Sequence, residues 1–368
     1  MATHFFGLTQ RTFAFSHSVG RNEFAGTGMR NPVDFVVAPN DTVYIVNRSY
    51  ENRPDGCRIS IFTLNEEYIT EFGSYGEGDG QFIWPTSCDL DAQGNLYVAD
   101  EWQNKISIFD KDGEWLGKWG TEGSGDGEID RPSGLAFDGD DNLLLVDSVN
   151  SRMQKFTKDG KFLAKWGSEG SGEGQFKLPW GIAVDSDQNV YVADWRNDRV
   201  QKFTTDGQFL MSLGHSGNGD GQLDRPTGVA VDKQGYIYVA DWGNDRLQVF
   251  SPEGDFVAKL TGDGTISKWG KDKLDANVEM WHEREIAQGI EREKLFWGPI
   301  AVSVDAEDRV FVVESADVLT DWAKPTPRSS PHRHVRLVGH WGAGSVVRDG
   351  AQVSTIYADP VDGAHDVP

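Results

Sequence analysis

The chain has 368 residues, with 58 acidic against 35 basic side chains and a formal net charge of −23. A field of that sign repels phosphate backbones, and no dense Lys/Arg run offsets it, so nucleic acid is not expected as a partner. No basic segment followed by an apolar run opens the sequence, no apolar stretch reaches membrane-spanning length, and the only cysteines are Cys57 and Cys88, which points to a cytoplasmic chain with no membrane partner.

In chain order, the first candidate strand surrounds Phe15 and Val19-Gly20 and is followed by the segment NPVDFVVAPNDTVYIVN around Pro32. Four in-register copies then begin at Pro85, Pro132, Pro179 and Pro226, a period of 47 residues, and a sixth, looser copy begins at Pro299. Within the copy at Pro179, apolar residues alternate at Ile182, Val184, Val190 and Val192. Two further strands follow, Arg199 to Phe203 and Phe209 to Leu213, joined by an Asp206-Gly207 hairpin. A period in this range with four short strands per copy predicts an all-β fold, a six-bladed β-propeller of four-stranded blades. Strands are lettered a to d from the channel outward. The sixth copy has no fourth strand at the expected offset. Phe15 and Val19-Gly20 precede Pro32 by the offsets at which Phe162 and Trp166-Gly167 precede Pro179, so the N-terminal strand is expected to close the last blade. This gives one propeller over 1–340 and a C-terminal extension over 341–368, whose role and bearing on oligomeric state stay open.

Residues shared by the copies have structural readings. Asp100, Asp147, Asp194 and Asp241 end strand b, and Lys105, Arg152, Arg199 and Arg246 open strand c, so a charge-assisted bond can close each b-to-c turn, with Asn150, Asn197 and Asn244 satisfying turn amides. The segments GEGDGQF, GSGDGEI, GSGEGQF and GNGDGQL read as turns needing positive φ; no helix follows to make them an anion cradle.

Departures from the repeat point to a site. Blade 1 is enlarged between strands b and c over Arg48 to Arg58, blade 6 over 316–332, and the connection between blades 5 and 6 is longest, where apolar residues at near-helical spacing predict a helical lid over 263–296. In an antiparallel blade these connections share one face. At the end of strand b, Asn47 and Glu314 replace Asp. Two residues after the proline, Asp34, Ser87 and Ala301 replace Gly. Asp34, Asn47, Arg48, Ser87 and Glu314 are therefore expected at a lidded channel mouth over blades 5, 6 and 1, ringed by Trp102, Trp180, Trp195, Trp242 and Trp297 and enclosed by His282. Arg48 would hold an anionic or carbonyl group, Asp34 or Glu314 would act as base, and Tyr50 as proton donor. An oxygen-liganded divalent metal (Ca, Zn or Mg) on Asp34, Asn47 and Glu314 is the cofactor alternative. Cys57 and Cys88 read as idle thiols.

The phrase PxGxAVDxxGxxYVADxxNxRxQxF, with G-x-G-[DE]-G-Q before it, resembles the NHL repeat, and the resemblance spans residues 13 to about 340. It implies a propeller and leaves activity open, because NHL propellers include an amidating lyase for hydroxyglycine peptides, RNA-binding repressors and protein-interaction scaffolds. The lyase holds its metal through channel histidines. Here the residues after the blade prolines are Val33, Thr86, Ser133, Trp180, Thr227 and Ile300, with no histidine among them. In HEREI the second ligand place is Ile286, so it is not a metalloprotease motif, and His332 and His334, two apart in a loop, read as a solvated pair with a shared metal as the alternative. Two functions follow as expectations: an enzyme of lyase or hydrolase type acting on a small molecule at the lidded mouth, or a non-catalytic propeller that binds a protein partner through the same Trp-bearing face.

Overall fold

A computed structural model describes residues 12–19, 25–49, 54–262, 267–277, 279, 281–282, 295–314 and 335–341. The described residues form six four-stranded antiparallel sheets. Five are consecutive up-and-down meanders. The third, for example, runs Pro132–Phe137, Asn142–Asp147, Arg152–Thr157 and Phe162–Trp166 as strands a to d. The other sheet is assembled from both ends of the chain: Thr12–Val19 pairs antiparallel with Val335–Trp341, from Thr12 opposite Trp341 to Val19 opposite Val335, beside Val310–Glu314 and Pro299–Val304. Joining the two ends leaves no free edge at the closure, which is the expected N-terminal closing strand.

Alternation at period two places one side of each strand b against the blade before it and the other against the blade after it. Val98, Leu145, Val192 and Val239 are fully buried, and the core consists of apolar clusters that each bridge neighbouring blades. Blade contacts on the outer side follow one rule. The residue thirteen before the next blade's proline ends strand d and meets the strand-c phenylalanine of that next blade: Phe72 against Phe109 at 4.7 Å between ring centroids, Trp119 against Phe156 at 5.0 Å, and Trp166 against Phe203 at 6.4 Å. The c-to-d hairpin glycines Gly113, Gly160 and Gly207 let these rings approach; a Cβ on Gly160 would stand 2.6 Å from Trp119.

At the closure this position is Val19, too small to fill the slot over Phe62. The indole of Trp269 fills it, 5.5 Å from Phe62 at 75°, and joins Val19, Phe62 and Leu64 in one buried cluster. Trp269 belongs to α1 (Lys268–Asp275), whose first amides, those of Lys268 and Trp269, donate to the Glu66 carboxylate in the c-to-d hairpin of blade 1. Of the helical lid expected over 263–296, α1 is the described helix, and no lid over the channel mouth is seen among the described residues. α1 packs against the outer strands of blade 1, because burying an indole in an unfilled inter-blade slot outweighs covering a polar mouth. Most of 276–296, the blade 6 insertion and the C-terminal extension after Trp341 lie outside the described residues.

Candidate functional site

Strand b ends in a carboxylate because the turn that follows offers it several donors. Asp147 accepts the Asp130 amide at 2.7 Å, the Arg152 guanidinium at 2.7 Å and the Asn150 amide group at 3.0 Å. Arg152 continues to the carbonyls of Ser124, Gly125 and Glu128 in the Gly-rich connection. Asp194 with Arg199 and Asp241 with Arg246 repeat the arrangement. Each Asn also donates to a loop carbonyl, Asn150 to Gly123 for instance, rather than receiving turn amides as the sequence suggested. The Gly-rich connections carry positive φ at Gly123, Gly127, Gly170 and Gly174, and their inward amides are already taken: Gly125 donates to Glu128 at 2.8 Å, Gly172 to Gln175 at 2.9 Å and Gly219 to Gln222 at 2.8 Å. The blade's own side chain occupies the place an anion would take.

Asn47 and Glu314 receive the same backbone bond as the aspartates. Asn47 accepts the Arg30 amide at 2.7 Å and Glu314 the Trp297 amide at 3.2 Å, each from seventeen residues earlier, as Asp147 does from Asp130. Asn47 also donates to Ser60 at 3.0 Å. Since an amide cannot pair with a cation, Arg58, the strand-c arginine of blade 1, turns to Glu71 at 2.8 Å and to the carbonyls of Gly56 and Gly28. Among the described residues no group of three or more His, Cys, Asp or Glu is arranged to hold a metal, and Asp34, Asn47 and Glu314 are each hydrogen-bonded to different partners.

Deeper in the ring, the six strands a line a channel cavity of 220 Å³. Their first positions form a seam from blade to blade. Thr86, Ser133 and Thr227, each directly after a blade proline, donate to the carbonyl of the next blade's proline, at 2.8 Å, 2.9 Å and 3.1 Å. One residue further, glycine is required in blades 3 to 5 because the neighbouring backbone is in contact: a Cβ on Gly134 would meet the Trp180 carbonyl oxygen at 2.5 Å, and one on Gly181 that of Thr227 at 2.2 Å. In blades 1 and 2 the same positions carry Asp34 and Ser87, and the structure brings these two together. The Ser87 hydroxyl donates to Asp34 Oδ2 at 2.6 Å, the Cys88 amide donates to the same oxygen at 2.9 Å, and Ser87 Oγ accepts the Leu135 amide of blade 3 at 3.2 Å. Desolvation raises the Asp34 pKa to about 6 against these favourable bonds, with nearby Asp89 adding to the rise. Asp89 is a channel carboxylate that sequence reasoning missed. Burial also raises it to about 6, while it accepts amides from Phe137 at 2.9 Å and Leu90 at 2.8 Å. The only signal in the sequence was a charged residue on the inner strand, four after Pro85, where the next three copies carry Ala136, Ala183 and Ala230.

The remaining expected residues scatter over the face. Arg48 pairs with Glu101 and lies over Trp84 at 5.0 Å, so its guanidinium is engaged by blade 2. Trp180 lines the channel and packs on Trp195 at 6.2 Å. Trp195 is covered by Arg196 at 4.4 Å, and Trp242 by Arg225 at 4.5 Å. Trp297 is half-buried beside Glu314, and Trp102 and His282 are exposed. Tyr50, His332 and His334 lie outside the described residues. Cys57 and Cys88 are free and buried; desolvation pushes the Cys57 thiol up to about 12 and Cys88 well above its ordinary value, which removes both as nucleophiles.

The NHL-repeat family model matches residues 176–203 and 223–250, the strand-rich parts of two blades. The chain is a β-propeller with NHL repeats in two of its blades. No curated protein sequence matches this propeller. Among solved structures it is similar to a catalytically inactive histidine-to-alanine variant of virginiamycin B lyase from Staphylococcus aureus crystallised with quinupristin, at 12% identity and a TM-score of 0.53, covering 89% of this chain and 99% of that one. It is also similar to a streptogramin B lyase, at 12% identity and a TM-score of 0.52 over 90% and 98% of the two chains. A third likeness is to a protein of unknown function from Bacteroides thetaiotaomicron, at 17% identity and a TM-score of 0.57 over 89% and 76%. At these identities the likeness is one of fold. No helix among the described residues is long and apolar enough to cross a membrane.

Proposed function

We propose that this propeller is a small-molecule-processing enzyme of lyase or hydrolase type, with Asp34 as the group that takes up and returns a proton at the channel. The observation that carries the reading is the Ser87 hydroxyl 2.6 Å from an Asp34 carboxylate whose pKa burial raises to about 6. Such a group is charged near neutrality and still able to hold a proton in a turnover step. Ser87 and the Cys88 amide orient the carboxylate, and Asp89 is a second acid close enough to raise its pKa. Lyases occur on this fold, and no histidine is among the residues lining this channel, so a carboxylate would carry the proton here. Arg48, held by Glu101, and Trp180 would contact a substrate at the mouth. The test is a metabolite-mixture screen followed by mass spectrometry, comparing the protein with its Asp34→Asn variant. A compound consumed by the first and spared by the second, with kcat/KM rising through about pH 6, supports the assignment; consumption equal in both rejects it.

A second reading, a non-catalytic propeller that binds a protein partner through the Trp-bearing face, is favoured by one observation: Trp102 is 52% exposed at that face.

A further inference from the structure

Trp102 is unlike the other indoles around it. Trp84, Trp195 and Trp242 each carry a guanidinium from this chain, Arg48, Arg196 and Arg225, at 5.0, 4.4 and 4.5 Å from the ring centroid. Trp102 has the edge of Trp84 on one side, at 4.8 Å and 69°, and among the described residues no cation lies over it. It lines a groove of 580 Å³ between the b-to-c turns of blades 2 and 3. The far wall holds Val149, 45% exposed, so two of the exposed large apolar side chains of the molecule meet in one depression. The charged lining consists of Glu101, Glu122, Asp130 and Arg131. Glu101 is neutralised by Arg48, whereas no ion pair among the described residues engages the carboxylates of Glu122 and Asp130.

We infer that this groove is a docking site for an arginine- or lysine-bearing segment of a protein partner, its cation stacked on Trp102 and met by Glu122 and Asp130, its aliphatic stem against Val149. The chemistry is the one the face already uses internally, a guanidinium on an indole, with a carboxylate to complete it. The net charge of −23 steers a basic segment toward the face. The same charge opposes a second copy of this chain as occupant. Residues 342–368 carry Arg348 against Asp349, Asp359, Asp362 and Asp366, so the acidic C-terminal segment is a poor fit as well. The inference rests on the reading of this face as protein-binding and is independent of chemistry in the channel.

The experiment is selection of randomised heptapeptides on the immobilised full chain at physiological salt, followed by titration of the winners against the protein, Trp102→Ala and the pair Glu122→Gln/Asp130→Asn, with thermal melts to show that the variants fold. The expected result is enrichment of Arg or Lys, binding weakened tenfold or more by Trp102→Ala, and a smaller loss with the carboxylate pair. Enriched peptides without a cation whose binding still falls with Trp102→Ala would overturn the ligand chemistry while keeping a protein-binding face. Binding that ignores Trp102 and vanishes with added salt would show a diffuse field effect, and no selectable peptide would remove the docking site; either result overturns the inference. Because neither readout uses catalysis, failure here leaves the assignment of Asp34 untouched.

Discussion

Trp269 stands 5.5 Å from Phe62, edge to face, in the slot that Phe72, Trp119 and Trp166 fill in other blades. The two rings join a helix of the insertion to an outer strand of blade 1, beside the strand pair that closes the ring. Trp269→Ala should cost about 3–5 kcal/mol, the usual range for emptying a large aromatic site. Trp281→Ala, which removes an exposed-side hydrogen bond to Asp275, should leave the denaturation midpoint close to that of the parent. Urea melts of the two variants check this, and equal midpoints would contradict a closing role for Trp269.

Arg152 and Arg48 are both paired arginines with different burial. Removing Arg152 strands the fully buried Asp147 beside unsatisfied loop carbonyls, and Arg152→Ala should cost about 3–5 kcal/mol. The Arg48 pair with Glu101 is nearer the surface, and Arg48→Ala should cost about 1 kcal/mol or less. Comparable losses in chemical denaturation would show that Arg48 has a closure role like that of the recurrent arginines.

Gly181 has backbone from the next blade where a Cβ would go, with the Thr227 carbonyl oxygen 2.2 Å away. Gly181→Ala forces the inner strands of blades 4 and 5 apart and should destabilise by about 1–3 kcal/mol. Gly94→Ala supplies a contrast, since nothing stands within 4 Å of a Cβ there and only its φ of +83° opposes the change. Thermal melts of both variants separate crowding from backbone strain.

The pH dependence of stability follows from the two channel carboxylates. Asp34 and Asp89 have folded pKa values of about 6 against an ordinary 3.8, so the folded state holds their protons more tightly than the unfolded chain. Each group's contribution is fully present below pH 3.8 and is lost as pH rises through about 6, at about 3 kcal/mol per group. Asp147, Asp194 and Asp241 are also raised by desolvation and act with the same sign. Melting temperature should therefore rise between pH 7.5 and pH 5, and the rise should shrink in Asp34→Asn and Asp89→Asn. A flat profile in the parent protein would show that water reaches the channel acids.

What the sequence determined by itself was local: the 47-residue period, the alternation that makes four strands per copy, the Asp–Arg closure of the b-to-c turns and the positive-φ glycines. These follow from side-chain size, backbone freedom and charge within one copy, and repetition made them readable. The closing strand was legible too, because an offset in one blade predicts the same offset in the next. Asn47 and Glu314 looked exceptional by residue type, yet the tertiary structure shows them accepting the backbone bond that the aspartates accept. Only the tertiary structure decided which residues of different blades meet: Ser87 with Asp34 across 53 positions, Arg48 with Glu101, and Glu66 with the first amides of α1 across about 200. Those contacts depend on how close the ring brings its inner strands and on the space that Val19 leaves over Phe62, and both are set by the closed packing of all the blades together.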